Sequence, residues 1–251
     1  LDKELEYLER LMLDHPPEGR VMGLVEECRE PPPKEVPLEA LGLKEIPEDE
    51  WIDRIRALDE ARAWPLEHVW TVLDQDGVGS CASESLNGAV MCLREISNQE
   101  QVLFNPWGMY GRVNGGADAG SSLSDNLSFA QRYGCFPESV WPRSKGWRTE
   151  PSAEAYEAAK QYRLREVVRL SSKRQFGSAL LLGLPVYFGY PGHAIFAIRL
   201  IDTSRFWYQN SWGKGWGQNG AGTLSFNSIQ WNYGVWAILS ETWAGPDKRI
   251  V

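Results

Sequence analysis

Three side chains of this sequence could carry nucleophilic catalysis if the fold gathers them. Cys81 closes a glycine-rich run, "DQDGVGSC" (Asp74 to Cys81), directly ahead of a stretch with helical spacing. A thiol at a helix start sits at the positive end of the backbone dipole and ionises more readily. His193 follows a Pro-Gly pair and opens an apolar run, where an imidazole could take and return a proton. Asn210 stands seventeen residues later in "QNSWGKGWGQNG" (Gln209 to Gly220). Its amide could bond the histidine ring and fix the tautomer while Trp212 screens that bond from water. Each residue also has a bland use. A free cysteine is usually a small buried hydrophobe, a histidine on an apolar strand is often a satisfied core residue, and glycine-tryptophan turns occur in many sheets. The chain order Cys, His, Asn favours the catalytic use.

Positioning these groups requires helices early and strands late. Trp51, Ile52, Ile55 and Leu58 predict a short helix, and Ala82 to Ile96 a longer one with Leu86, Val90 and Leu93 on one stripe. Helical stretches near Glu154 to Tyr162 and Lys173 to Leu182 precede the strand-like runs "PVYFGY", "HAIFAIRLID", "RFWYQN", "GTLSF" and "VWAILSE". This order predicts an α+β chain of two lobes: a helical lobe over about 49–150, and an antiparallel β-sheet or barrel lobe over 151–251. A cleft belongs between them. Ahead of this body, residues 1–48 read as an acidic, proline-rich extension. Leu1, Leu5, Leu8 and Met12 recur at helical spacing, and "REPPPKEVP" should be extended and poorly packed on its own.

Composition narrows the function classes. Of 251 residues 43% are hydrophobic, enough for a substantial core. The formal charge of -8 is concentrated at the start, where residues 1–50 hold 15 acidic and 6 basic side chains against 19 and 20 in the remainder. The nearly neutral body argues against a nucleic-acid groove or a polybasic membrane patch. No signal peptide or membrane span is visible. The four cysteines, Cys28, Cys81, Cys92 and Cys135, lack CxxC pairing, so neither a metal site nor a disulfide framework is expected and a reducing compartment such as the cytoplasm is favoured. No cofactor is expected.

The blocks "QDGVGSC" (Gln75 to Cys81), "GHA" (Gly192 to Ala194) and "NSWGKGWG" (Asn210 to Gly217) resemble, in order, the three active-site blocks of the papain-like cysteine peptidases. "AGSSLSDNLSFAQRYGCFPESVWP" (Ala119 to Pro142) is similar to the segment leading from that family's substrate wall into a helix. The resemblance spans roughly 51–241 and implies the two-lobe papain-like fold with the cleft between the lobes. It implies a thiolate at Cys81 paired with imidazolium at His193, orientation by Asn210, and an oxyanion hole from the Gln75 amide and the Cys81 N–H. Gly77 and Gly79 would allow the tight turn between these donors. Gly120 and Ser121 fall where the family pairs with substrate backbone, and "NGG" (Asn114 to Gly116) is a rival placement.

The sequence also departs from the family pattern. Ala82 stands where tryptophan usually follows the nucleophile, Val78 where a paired cysteine usually precedes it, and only a few residues separate "PVYFG" from "GHA". The expected function is therefore a thiol endopeptidase acting on peptide or protein substrates, with no metal, nucleic acid or membrane partner. One alternative is a papain-like fold serving as a structural or binding component of a larger assembly. Another is a cell-wall amidase or transglutaminase-type acyl transferase. The extension could be a short inhibitory pro-segment or an arm for a protein partner.

Overall fold

The computed structural model describes residues 16–26, 33–41 and 43–239. The helical stripe of Leu1 to Met12, together with His15 and Cys28, lies outside them. The described residues form six α-helices: α1 (Trp51–Ala61), α2 (Cys81–Ile96), α3 (Pro106–Val113), α4 (Leu123–Arg132), α5 (Ala153–Ala159) and α6 (Lys173–Leu181). They also form seven strands: β1 (Glu35–Val36), β2 (Val167–Arg169), β3 (Val186–Tyr190), β4 (His193–Leu200), β5 (Arg205–Gln209), β6 (Ala221–Ser225) and β7 (Val235–Ile238). One sheet results, in the order β1-β2-β7-β3-β4-β5-β6. Only β1 and β2 pair in parallel. No helix among the described residues is long and apolar enough to cross a membrane.

Polar residues start most of the helices. Ser122, Ser152 and Ser172 each accept an N–H three residues on, and Asn105 accepts the Trp107 N–H with Pro106 at the first helical position. The sheet is covered on both faces, so β3 and β4 read as apolar runs and not as alternating ones. On one side α2 packs so closely on β4 that a Cβ at Gly88 would lie 2.8 Å from the Phe196 ring. On the other, the Phe176 ring of α6 meets Phe188 and Phe206 at 5.5 and 4.9 Å. A two-residue turn, Pro191 and Gly192 (φ 71°), joins β3 to β4 and pairs Tyr190 with His193. Only Tyr190 and Pro191 stand between "PVYFG" and "GHA".

Two helices pack across the boundary expected at about residue 150. α1 lies with the sheet, its Trp51 ring filling the space where a Cβ at Gly177 of α6 would sit and meeting Phe226 at 6.0 Å. α5 belongs with the helical side, Tyr156 packing edge-on against Tyr133 and Phe136 at 5.5 and 5.3 Å. Part of the extension packs on the body in extended form. Glu35 and Val36 pair with Val167 and Val168 at the sheet edge, the Gln131 side chain bonds both backbone polar groups of Lys34, and Leu38 and Leu43 are buried. Extended, proline-flanked backbone offers free N–H and C=O groups, and the unpaired edge of β2 takes them.

Candidate active site

Helix α2 and the β3–β4 hairpin fix the centre of the site. Ser85 Oγ donates to the Ala194 carbonyl at 2.6 Å, and Tyr187 Oη to the Ala82 carbonyl at 2.9 Å. The first turn of α2, which starts at Cys81, is thereby tied to the strand residue after His193. His193 Nε2 lies 2.8 Å from Asn210 Oδ1, and that oxygen also accepts the Ser211 N–H at 2.7 Å. An oxygen accepting both bonds requires hydrogen on Nε2, so the neutral ring keeps its lone pair on Nδ1, which has no hydrogen-bond partner. Trp212 stacks on the imidazole, centroids 4.7 Å apart at 28°, and Trp216 meets Trp212 edge-on at 5.4 Å.

Gln75 is oriented by the same block. Its Oε1 accepts from Ser211 Oγ at 2.8 Å and Trp212 Nε1 at 3.1 Å, and its backbone N–H donates to the Ser211 carbonyl at 2.9 Å. The amide nitrogen is thus turned away, donating to the carbonyls of Val78 (2.9 Å) and Val21 (2.7 Å). In the turn before Cys81 the left-handed residue is Asp76 (φ 53°), its N–H held by Asp74 Oδ1. Gly79 serves close approach. Its N–H donates to Asp118 Oδ1, and a Cβ would crowd Asp118, Tyr110 and Gly120 at 3.1 to 3.3 Å.

The cleft is filled by the chain's own residues 20–25. The Leu24 N–H donates to the Gly192 carbonyl (3.0 Å), the Ser121 N–H to the Gly23 carbonyl (2.9 Å) and the Val25 N–H to the Ser121 carbonyl (3.3 Å). Leu24 and Ser121 form a parallel bridge. The Leu24 side chain is buried beside Gly189 and Tyr233, and Arg20 pairs with Asp74 at 2.6 Å. The fit leaves no spare room: a Cβ at Gly23 would lie 2.0 Å from the Gly79 carbonyl oxygen, and one at Gly120 (φ 86°) 2.0 Å from the Gly23 carbonyl oxygen. Gly120 and Ser121 therefore line the occupied cleft, whereas Gly115 and Gly116 of the rival run are exposed.

Closure sets the protonation states. Cys81, His193 and Gln75 are fully buried. Burial pushes the Cys81 thiol up to about 11, against the opposing pull of the Ala194, Gly23 and Ala82 N–H groups facing the sulfur. Burial likewise takes His193 down to about 4, offset in part by the Asn210 bond. Burial thus disfavours charge on both groups in the closed site, against the ion pair that the resemblance implies, and the covering segment takes part through the Gly23 N–H at the sulfur.

Several contributors were not singled out in the sequence. Ser211 sits inside the quoted tryptophan block and orients Gln75. Ser85, Tyr187 and Asp118 anchor the site through backbone groups that only the fold brings near. Glu84, buried in the first turn of α2, was legible as a charge on an otherwise small and apolar helix face. Among the described residues no three His, Cys, Asp or Glu side chains converge as metal ligands.

A helix led by a cysteine, packed on an antiparallel sheet that supplies histidine and asparagine, is the architecture of the papain-like cysteine proteases. Solved structures agree: xylellain, a cysteine protease from Xylella fastidiosa, matches with TM-score 0.63 at 17% identity over 89% of this chain and 97% of its own. Procathepsin L2 from Tenebrio molitor larval midgut matches with TM-score 0.65 at 19% identity over 94% and 87%, and proCathepsin B S9 from Trypanosoma congolense with 0.63 at 13% over 89% and 87%. No protein-family model matches the chain. A peptidase C1-like protein of Acanthamoeba polyphaga mimivirus, itself uncharacterized, is 24% identical over 202 residues, 62% of this chain and 65% of that protein, so the match spans less than two thirds of its length. The chain has the papain-like cysteine protease fold and is a divergent example of it.

Proposed function

We propose that the chain is a cysteine endopeptidase, closed here by its own residues 20–25 acting as a short inhibitory segment. The observation that carries the reading is the Gln75 amide already donating to a peptide carbonyl, that of Val21, in the same buried site as Cys81 and the His193–Asn210 pair. With the segment displaced, water and the helix start favour Cys81 thiolate beside imidazolium. The thiolate attacks the substrate carbonyl, and the oxyanion is met by the Gln75 amide and the Cys81 N–H. His193 passes its proton to the departing amine, leaving an acyl-enzyme, then takes a proton from water as that water attacks the thioester. Asn210 keeps the ring in the needed tautomer. A peptide entering the cleft replaces residues 20–25, pairing with Ser121 and filling the apolar space now held by Leu24. Two of the neighbours above are named as pro-forms, and the match to one takes in 94% of this chain.

The same closure gives the binding-component reading its one support, since a permanently filled cleft turns nothing over. A thiol-directed peptidyl epoxide separates the two. In a chain lacking residues 1–26, cut short of the β1 pairing, we expect covalent labelling that is abolished by Cys81→Ala and strongly reduced by His193→Ala. Folded protein that stays unlabelled overturns the peptidase reading.

A further inference from the structure

The catalytic scheme leaves one buried charge unused. The side chain of Glu84, three residues after Cys81, is fully buried, and its carboxylate takes both arms of one guanidinium: Oε1 to Arg143 Nη2 at 3.0 Å, Oε2 to Arg143 Nη1 at 3.4 Å. Arg143 Nη2 also donates to the carbonyl of Asp74, the residue before Gln75, at 2.5 Å. Its guanidinium lies 4.0 Å over the Trp107 ring, with Asp76 Oδ2 3.7 Å away. The Asp74–Gln75 peptide is therefore held from both sides, its N–H by the Ser211 carbonyl and its oxygen by Arg143.

We infer that Glu84 and Arg143 are positioning residues that set the oxyanion donor Gln75 against the nucleophile: the pair clamps the Gln75 loop to the helix that begins at Cys81. Charge alone argues against keeping Glu84 there. Its carboxylate disfavours a thiolate at Cys81, and burial makes its own ionisation costly, which Arg143 offsets. A buried ion pair is weak evidence for stability, so the reason to place it here lies in the geometry it imposes. Glu84 also draws the Ser80 hydroxyl, which donates to Oε1 at 3.1 Å. Ser80 is the N-cap of α2 yet makes no side-chain cap bond. A serine there would ordinarily accept the N–H of Ala82 or Ser83. Diverted, it leaves the Ala82 N–H facing the Cys81 sulfur.

The inference rests on the peptidase reading, and its test keeps the two apart. The full chain carrying Gly23→Ala, whose added methyl meets the Gly79 carbonyl, serves as the opened parent. Arg143→Lys in that background keeps a cation on Glu84 but loses the fork that also reaches Asp74. The double variant Glu84→Gln/Arg143→Met removes both buried charges and keeps an acceptor for Ser80, which guards against misfolding. Expected in both are kcat on a peptide substrate reduced about tenfold to a hundredfold and KM changed less than about threefold; the pH profile of Cys81 alkylation by iodoacetamide stays near-parental in Arg143→Lys, which keeps the Glu84 charge, and moves to lower pH in the double variant, which removes it. Variants that turn over within about twofold of the parent overturn the positioning role, leaving the pair a packing feature. A parent whose Cys81 is alkylated but which turns over no peptide overturns the peptidase reading instead.

Discussion

Gly23→Ala should open the cleft by one methyl group. The new Cβ would lie 2.0 Å from the Gly79 oxygen, 2.4 Å from its carbonyl carbon and 2.6 Å from its Cα. These are backbone atoms, so no rotamer change relieves the clash, and Gly79 cannot retreat because Asp118, Tyr110 and Gly120 stand within 3.3 Å of its own Cβ direction. The segment must lift by about an ångström, which disrupts four bonds: Gln75 to Val21, Ser121 to Gly23, Leu24 to Gly192 and Val25 to Ser121. At about 0.5–1.5 kcal/mol each, the closed state loses about 2–6 kcal/mol. The lower end already multiplies the open population about thirtyfold, at about 1.4 kcal/mol per factor of ten. Alanine restricts the released segment by less than about 1 kcal/mol, too little to reverse the sign. The assay is the rate of Cys81 alkylation by iodoacetamide at pH 7.5, read by mass on the peptide carrying Cys81. With that offset the net loss is at least about 1 kcal/mol, so the rate should rise at least about fivefold toward that of a chain lacking residues 1–26. An unchanged rate would refute closure by residues 20–25.

The same closure should be insensitive to pH near neutrality. The covered pair carries one proton, on the thiol, because burial takes His193 down to about 4 and holds Cys81 up to about 11, and the thiolate–imidazolium pair proposed for the open form also carries one, on the ring. The Cys81 alkylation rate of the intact chain, divided by that of the chain lacking residues 1–26, should therefore stay within about twofold from pH 7 to pH 5; a rise of about tenfold or more would mean an open form that gains an extra proton on His193, which contradicts the ion pair. Ser211→Ala removes one of two donors to Gln75 Oε1 and leaves Trp212. With about 1 kcal/mol of orientation lost, kcat on a peptide should fall about threefold to tenfold while KM and melting temperature hold, and a change confined to KM would contradict the orienting role.

The gathering of His193, Asn210, Trp212 and Gln75 was legible in the sequence because its constraints are local. The glutamine-to-cysteine run and the tryptophan block each place several functional atoms within a few residues, and short spacing survives any arrangement of the remainder. The strands were legible through their apolar runs and bounding glycines. Lobe membership was not, because it depends on which surfaces α1 and α5 bury: the Trp51 ring fits over Gly177, and Tyr156 fits between Tyr133 and Phe136, contacts between residues far apart in the chain. The extension was legible in its extended backbone but not in where it docks: the free edge of β2 and a cleft lined by Gly79, Gly120 and Gly192 accept extended backbone with little regard to side chains. In the glycine turn Asp74 holds the left-handed residue at Asp76, while Gly79 allows the close approach.

The most direct test of the account is capture of the acyl-enzyme. A chain lacking residues 1–26, mixed with an activated peptidyl ester and quenched in acid, should carry the acyl mass on the peptide containing Cys81. The adduct should be absent in Cys81→Ala, and it should form in the full chain carrying Gly23→Ala faster than in the full parent. Folded protein whose Cys81 reacts with iodoacetamide but never carries the acyl group would contradict it.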